Sequence, residues 1–373
     1  MHSKPYKILF TIPNFDTAGS GKAMLNIALR LNKDIFEPHI CTISDSGKFF
    51  DTVKKSGVPV HVFPYILRGK HGRIKSLLHA CKVSRFIKKN KFDLVHSFNY
   101  SDDYYEALAC RLGGAKWVYT KKNMSWGGNG WRFRTMLANR IAVQNNDMMH
   151  DFFNGGNEKT TLLPRGVNTY EFKKIDLPQN LLKKEFNLNA DIKIITTVAN
   201  IVPRKGIEYL IDGYDLIKDK YPNTVVFIIG DDRDEYAQKL KDRIIEKQLS
   251  HKVYLIGKRL NINELLNCSD CFILPTTNLG EGSPVALLEA MAAELPCIAT
   301  DVYGIRDQLK TLPSQMFQES DAKSLAVKLD WLLKLETEEL NNIISQQSDL
   351  VNHNYTIDIE VKKHEKLYCK IIN

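Results

Sequence analysis

The sequence predicts an α/β protein built of two parallel-sheet, Rossmann-like domains in tandem. Short apolar runs rich in β-branched residues alternate with amphipathic helical runs along the chain, which is the pattern of βαβ units rather than of hairpins. The alternation breaks once, over residues 162–180, where Leu163-Pro164-Arg165-Gly166 leads into a polar stretch, and it restarts past Asp191. At 373 residues the chain accommodates two domains of the usual ~100–200 residues, each able to bury its own core.

In the first half, residues 7–12, 39–43, 58–63, 94–97 and 117–120 read as strands, and 23–31 and 104–111 as helices. The segment 68–91 carries Arg68, Lys70, Arg73, Lys75, Lys82, Arg85, Lys88, Lys89 and Lys91 and no acid. Ile74, Leu77, Leu78, Cys81 and Phe86 recur there at helical spacing, with Lys75, Lys82 and Lys89 on another face. Such a basic amphipathic helix either meets an anionic membrane surface, at ~1 kcal/mol per charge, or packs on a core with a solvated basic back.

In the second half, residues 193–198, 225–229, 253–256, 271–274 and 296–299 read as strands. Residues 206–218, 235–247, 262–266 and 285–293 read as the intervening helices, 321–350 as helical, and 356–372 as a closing helix. The expected domains are 1–175 and 176–355, with 356–373 packing back on the first.

Composition excludes several classes. Apolar residues at 43% and charged residues at 25% are ordinary globular fractions, so neither disorder nor a fibrous repeat is expected. The N-terminal apolar run is too short for a secretory signal, and no uncharged stretch approaches the ~20 residues that span a bilayer. A soluble cytoplasmic protein is expected. The seven cysteines are scattered, which suits reduced thiols. Cys268 and Cys271 form a single C-x-x-C without the second pair a structural zinc needs, and read as buried thiols. The net charge of +9 concentrates in the basic segment, and no nucleic-acid partner is expected.

Three strand-to-helix loops carry the chemistry, where open parallel sheets bind ligands. The first is Glu281-Gly282-Ser283-Pro284-Val285, opening the helical run to Ala292. Ser283 is placed as the N-cap and Pro284 at the first helical position, so that the Val285 and Ala286 N–H groups face an anion with the helix dipole behind them. Gly282 admits close backbone approach. Glu281 before the helix and Glu289 in its second turn flank that anion, which suits carboxylates that grip hydroxyl groups. The second loop is Val198-Ala199-Asn200-Ile201-Val202-Pro203-Arg204-Lys205-Gly206. Its paired cations stabilise negative charge building on a departing anion. The third, residues 14–22, holds Thr17, Gly19, Ser20, Gly21 and Lys22 but fails the P-loop pattern, with Asp16 in place of the first glycine and Ala23 after the lysine.

The run EGSPVALLEAMAAELPCIATDVYG, with its E-x7-E of Glu281 and Glu289, resembles the signature of the retaining, GT-B-fold glycosyltransferases of glycosyltransferase family four. Residues 198–210 resemble that family's "GRLVPRKG" segment, residues 14–22 its glycine-rich N-terminal loop, and Pro164-Arg165-Gly166-Val167-Asn168 its "PNGVD" motif, with Arg165 for Asn and Asn168 for Asp. The resemblance implies two Rossmann-like domains facing a deep interdomain cleft, and transfer of a sugar from a nucleotide diphosphate donor, UDP favoured, to a glycan or lipid-linked glycan. It implies Glu281, Arg204 and Lys205 as catalytic, and Gly19, Ser20, Gly282, Ser283, Pro284, Val285 and Glu289 as donor-binding.

Where the family often has a histidine, this chain has Thr120-Lys121-Lys122-Asn123-Met124. The acceptor-side candidates are therefore Thr17, Asn123 and His96, and no catalytic base is assigned. Asp231-Asp232-Arg233-Asp234 contains a D-x-D but reads as a strand-to-helix turn, so no metal or cofactor is expected. Two alternatives stand beside transfer: a nucleotide-sugar epimerase of the same fold, and a non-catalytic donor-binding subunit.

Overall fold

The computed structural model describes residues 4–16, 18–47, 49–67, 71–122, 124–126, 128 and 130–373. Thr17 and Asn123, and Arg68 and Lys70 of the basic segment, lie outside the described residues. Two compact units form, one from Met1–Pro164 with Ile357–Asn373 and the other from Arg165–Thr356.

The first unit holds a seven-stranded sheet of β1 (Tyr6–Thr11), β2 (Phe36–Thr42), β3 (Val60–Val62), β4 (Leu94–Ser97), β5 (Lys116–Lys121), β6 (Arg140–Val143) and β7 (Thr160–Leu162). Its order is β3-β2-β1-β4-β5-β6-β7, and each pairing is parallel. Side chains alternate between faces. Ile8 and Phe10 join the layer under the helix Ala18–Arg30, while Leu9 joins the layer under Arg73–Asn90 and Tyr105–Gly113.

The second unit holds six parallel strands: β8 (Lys193–Val198), β9 (Thr224–Ile229), β10 (Val253–Leu255), β11 (Cys271–Leu274), β12 (Cys297–Thr300) and β13 (Met316–Phe317). Their order is β10-β9-β8-β11-β12-β13. Strand order reverses between β1 and β4 in one sheet and between β8 and β11 in the other. Such switch points open a crevice at the carboxyl ends of the strands.

The units divide earlier than the sequence boundary at 175. Residues 165–175 belong to the second unit because Phe172 is buried in its core, and the Lys173 and Ile175 N–H groups donate to the side chains of Asn263 (3.1 Å) and Asn267 (2.9 Å). The chain returns to the first unit at Ile357. The helix Ile357–Ile372 buries Ile357, Val361, Leu367, Tyr368 and Ile371 in the core beside β1 and β2.

The basic helix spans Arg73–Asn90 and turns a different face inward from its larger apolar residues. Ser76, Ala80, Val83 and Ile87 are buried, whereas Ile74, Leu77 and Leu78 are 78%, 50% and 67% exposed. The reason is close packing on the helix Tyr105–Gly113, where a Cβ at Gly113 would stand 2.9 Å from the Ile87 side chain. Small residues at i, i+4 and i+7 let two helices approach, and the larger ones go to solvent.

His96, an acceptor-side candidate, is 0% exposed at the end of β4. Its ring nitrogens share hydrogen bonds with the Tyr368 hydroxyl (2.6 Å) and Thr120 Oγ1 (2.8 Å). It is therefore not open to an acceptor but joins the closing helix to the sheet. Burial, with the neighbouring His364 and Lys122 charges, holds its pKa well below the ordinary range and keeps it neutral. Replacing Tyr368 by Phe is expected to cost about 1–2 kcal/mol by stranding His96, and replacing it by Ala roughly 3–5 kcal/mol by adding a cavity. Urea denaturation followed by circular dichroism measures both.

Candidate functional site

At the switch point of the second sheet, β8 runs into a 3-10 turn, Pro203–Lys205, and β11 into the loop that carries Glu281. Gly206 follows the turn with φ +60°, a left-handed conformation that also lets the backbone lie against the next loop. A Cβ there would overlap the Pro275 carbonyl oxygen. The Thr277 N–H (3.0 Å) and hydroxyl (3.2 Å) both donate to the Arg204 carbonyl. Two loops far apart in sequence are thus laced together by backbone.

Their side chains meet as well. Lys205 donates to Glu281 Oε1 in an ion pair whose side chains are only 11% and 10% exposed. The buried Thr276 hydroxyl donates to the same oxygen at 3.1 Å. Glu281 is held from behind too, its N–H donating to the Tyr303 carbonyl at 2.9 Å. Gly304 (φ +79°) backs it closely enough that a Cβ would overlap the Glu281 carbonyl oxygen. Arg204, in contrast, is exposed.

The helix that follows corrects the expected cap. It spans Val285–Ala292, with Pro284 at the N-cap in an extended conformation and no side-chain cap hydrogen bond. Ser283 is not the cap because its hydroxyl is engaged elsewhere, accepting from the Arg165 N–H (3.1 Å) and the Gln308 side chain (3.2 Å). Gln308 also donates to the Pro284 carbonyl at 3.1 Å, which fixes the helix entrance. Val285 and Ala286 remain the first two helical residues, whose N–H groups no helical carbonyl can reach. Gly282 is buried beside them, and Glu289 is half-buried in the second turn.

Gly19 and Ser20 lie in the first turn of Ala18–Arg30 in the first unit, and nothing stands within 4 Å of where a Gly19 Cβ would be. Asp231 pairs with Arg233, and Asp232 with Lys241 at 2.7 Å, in the turn after β9.

The first unit contains a charged network that sequence reasoning missed. At the β1/β4 switch point, Glu106 and Arg134 are 1% and 0% exposed and 4.0 Å apart. Glu106 accepts from the hydroxyls of Thr11 and Ser97 (2.7 Å). Arg134 donates to Ser97 Oγ (3.1 Å) and to the carbonyls of Asn99 (3.1 Å) and Asp103 (2.9 Å). Burial raises the Glu106 pKa and lowers that of Arg134, while the opposite charge resists each shift. A lone acid in the run Tyr105–Gly113, whose only other charge is Arg111 in its last turn, is the one sequence signal that could have found it.

Residues 178–349 match the model of the "Glycosyl transferases group 1" family, and residues 17–171 that of "Glycosyltransferase Family 4". An uncharacterized glycosyltransferase of Methanocaldococcus jannaschii, MJ1059, is 31% identical over 225 residues, which cover 59% of this chain and 50% of that protein. The chain thus spans about half the length of that relative. The UDP-Gal:alpha-D-GlcNAc-diphosphoundecaprenol alpha-1,3-galactosyltransferase of Escherichia coli is 25% identical over 321 residues, 80% of this chain and 81% of that one. Among solved structures, a glycosyltransferase of Rickettsia africae superposes with a TM-score of 0.89 at 19% identity, covering 99% of each chain, a likeness of fold.

The lacing of the two loops is testable through Gly206. Gly206→Ala is expected to destabilise by roughly 2 kcal/mol or more, since both φ and space oppose a Cβ. Gly57→Ala, at φ +81° with nothing within 4 Å, pays the conformational cost alone, ~1 kcal/mol. Chemical denaturation of the two variants beside the parent reads the difference.

Proposed function

Because the chain belongs to glycosyltransferase family four, and is a glycosyltransferase of the GT-B fold, we propose that it transfers a sugar from UDP to a glycan or lipid-linked glycan hydroxyl with retention at the anomeric carbon. The product would enter a surface polysaccharide or glycoconjugate. The observation that carries this reading is the convergence of Arg204, Lys205 and Glu281 on the β8/β11 switch point, beside a helix entrance.

In the reaction the bond from the anomeric carbon to the diphosphate oxygen breaks, and a bond from the acceptor oxygen to that carbon forms on the same face. Arg204 and Lys205 stabilise the negative charge that accumulates on the leaving diphosphate. The Val285 and Ala286 N–H groups and the loop through Gly282, Ser283 and Pro284 hold it from the helix end. Glu281 orients the sugar through its hydroxyls and Glu289 holds those of the ribose, while Gly19 and Ser20 are further donor-binding candidates. The acceptor's proton passes to a leaving phosphate oxygen, so no protein base is required and no metal or cofactor is expected. UDP is favoured because the Escherichia coli relative uses UDP-Gal, and a diphosphoundecaprenol acceptor in that relative favours lipid-linked glycans here.

Calorimetric titration with UDP, GDP and ADP tests the donor half. UDP is expected to bind, with affinity falling about tenfold or more in Arg204→Ala and Glu289→Ala. Binding of none of the three would overturn the donor assignment and bring forward the non-catalytic alternative.

No helix among the described residues is long and apolar enough to cross a membrane. A lipid-linked acceptor nonetheless asks for contact with the inner membrane face, and the helix Arg73–Asn90 supports it. Its exposed Ile74, Leu77 and Leu78 are flanked by exposed Arg73, Lys75, Lys82 and Arg85, a surface suited to anionic lipid. Co-sedimentation with phosphatidylglycerol vesicles is expected, reduced about tenfold in the pair Lys75→Glu, Lys82→Glu and in Leu78→Glu. Sedimentation that anionic lipid does not increase would count against this contact.

A further inference from the structure

The first unit carries a cavity that the donor chemistry leaves unused. It has a volume of about 660 Å³ and lies between the helices Gly130–Leu137 and Asn146–Phe153, next to the segment that follows β5. That volume falls within the ~300–1,000 Å³ of small-molecule sites. Its apolar wall is aromatic: Trp126 is half-buried, Trp131 is 2% exposed, and Phe152 meets Trp126 edge-on with centroids 5.0 Å apart. Its rim is polar, with Arg132, Asn154 and Asn157.

Lys121 holds this wall in place. It is 0% exposed, its Nζ lies 3.8 Å from the Phe152 ring centroid and 4.7 Å from that of Trp126, and it donates to the Ser125 carbonyl at 2.7 Å. Burial lowers its pKa to about 8. The ammonium therefore faces rings and a carbonyl, and it fixes the residue just before Trp126.

We infer that this cavity is a subsite for a neutral oligosaccharide, one that holds sugar units of the acceptor away from the reacting hydroxyl. The inference rests on the proposed transfer to a glycan and on the sequence expectation that the acceptor-side residues belong to the first unit. A pyranose presents C–H faces and a rim of hydroxyls, and it is matched by aromatic faces bordered by amide and guanidinium groups. An alkyl chain would fill the apolar wall but would strip water from Arg132, Asn154 and Asn157 without replacing their hydrogen bonds. A phosphate would need clustered cations, and among the described lining residues Arg132 is the one charged side chain. Lys121 is accordingly a positioning residue: it presents Trp126 and does not itself touch the sugar.

The test is titration of the full chain with maltotetraose and with chitotetraose, followed by tryptophan fluorescence and saturation-transfer NMR, and paired with UDP calorimetry on each sample. At least one tetrasaccharide is expected to bind saturably, about tenfold more weakly in Trp126→Ala and Lys121→Met and several-fold more weakly in Asn154→Leu. Trp126→Phe, which keeps an aromatic face, should restore most of the affinity, and UDP binding should stay unchanged in all four variants. Failure of both tetrasaccharides to bind, equal binding by Trp126→Ala, or displacement of the sugar by farnesyl phosphate overturns the subsite. Loss of UDP binding in the parent protein would instead overturn the donor reading while leaving the sugar titration to be judged separately.

Discussion

The ion pair between Lys205 and Glu281 is the interaction around which the second unit's site is arranged. It spans the β8/β11 switch point and joins two loops whose backbones already bond through Thr277 and Arg204. Each charge lies in the low-exposure floor of the site, so removing one partner strands the other at a typical cost of ~3–5 kcal/mol. The lysine is thus already oriented by a carboxylate, and the carboxylate already engaged by a lysine and Thr276. In the reaction proposed above, such preorganisation would reduce the rearrangement needed as negative charge develops on the leaving group. It also means that the roles proposed for Lys205 and Glu281 are coupled to stability, whereas the role proposed for exposed Arg204 is separable from it.

The second unit was the more legible half in the sequence because its signals are local. Strand-loop-helix patterning placed Arg204, Lys205, Glu281 and Glu289, each within a few residues of a strand end or helix start. What pattern reading cannot supply is which loops meet. The Lys205–Glu281 contact joins residues 76 positions apart and depends on β8 and β11 being neighbours. The misplaced cap has the same origin. Ser283 is a good local N-cap, but its hydroxyl is taken by Arg165 and Gln308, and a tertiary contact overrides the local preference.

In the first unit the misreadings arise where polarity and burial part company. The helix Arg73–Asn90 hides Ser76 and Ala80 and exposes Ile74 and Leu78, since proximity to a neighbouring helix rewards small side chains over apolar ones. His96 ends a strand, which invites a functional reading, but its partner Tyr368 stands 272 positions away on the closing helix. Glu106 and Arg134 are charged residues inside a core. The lone acid of its helix hints at Glu106, but nothing local brings Thr11, Ser97 and Arg134 to it; the sheet does.

Arg134 and Lys121, which are buried, and the half-buried Lys122 share one habit in the first unit. Arg134 donates to the carbonyls of Asn99 and Asp103, Lys122 to that of Phe98, and Lys121 to that of Ser125. All four carbonyls belong to the segments that follow β4 and β5, at the carboxyl ends where a parallel sheet binds ligands. Charge there holds loop backbone in shape, each cation donating to a loop carbonyl. Loops held this way suit the sugar subsite proposed above, which would recognise by shape, ring stacking and neutral hydrogen bonds. The two units thus use charge differently, with Lys205 paired to Glu281 at the switch point of one sheet and cations turned onto loop carbonyls in the other.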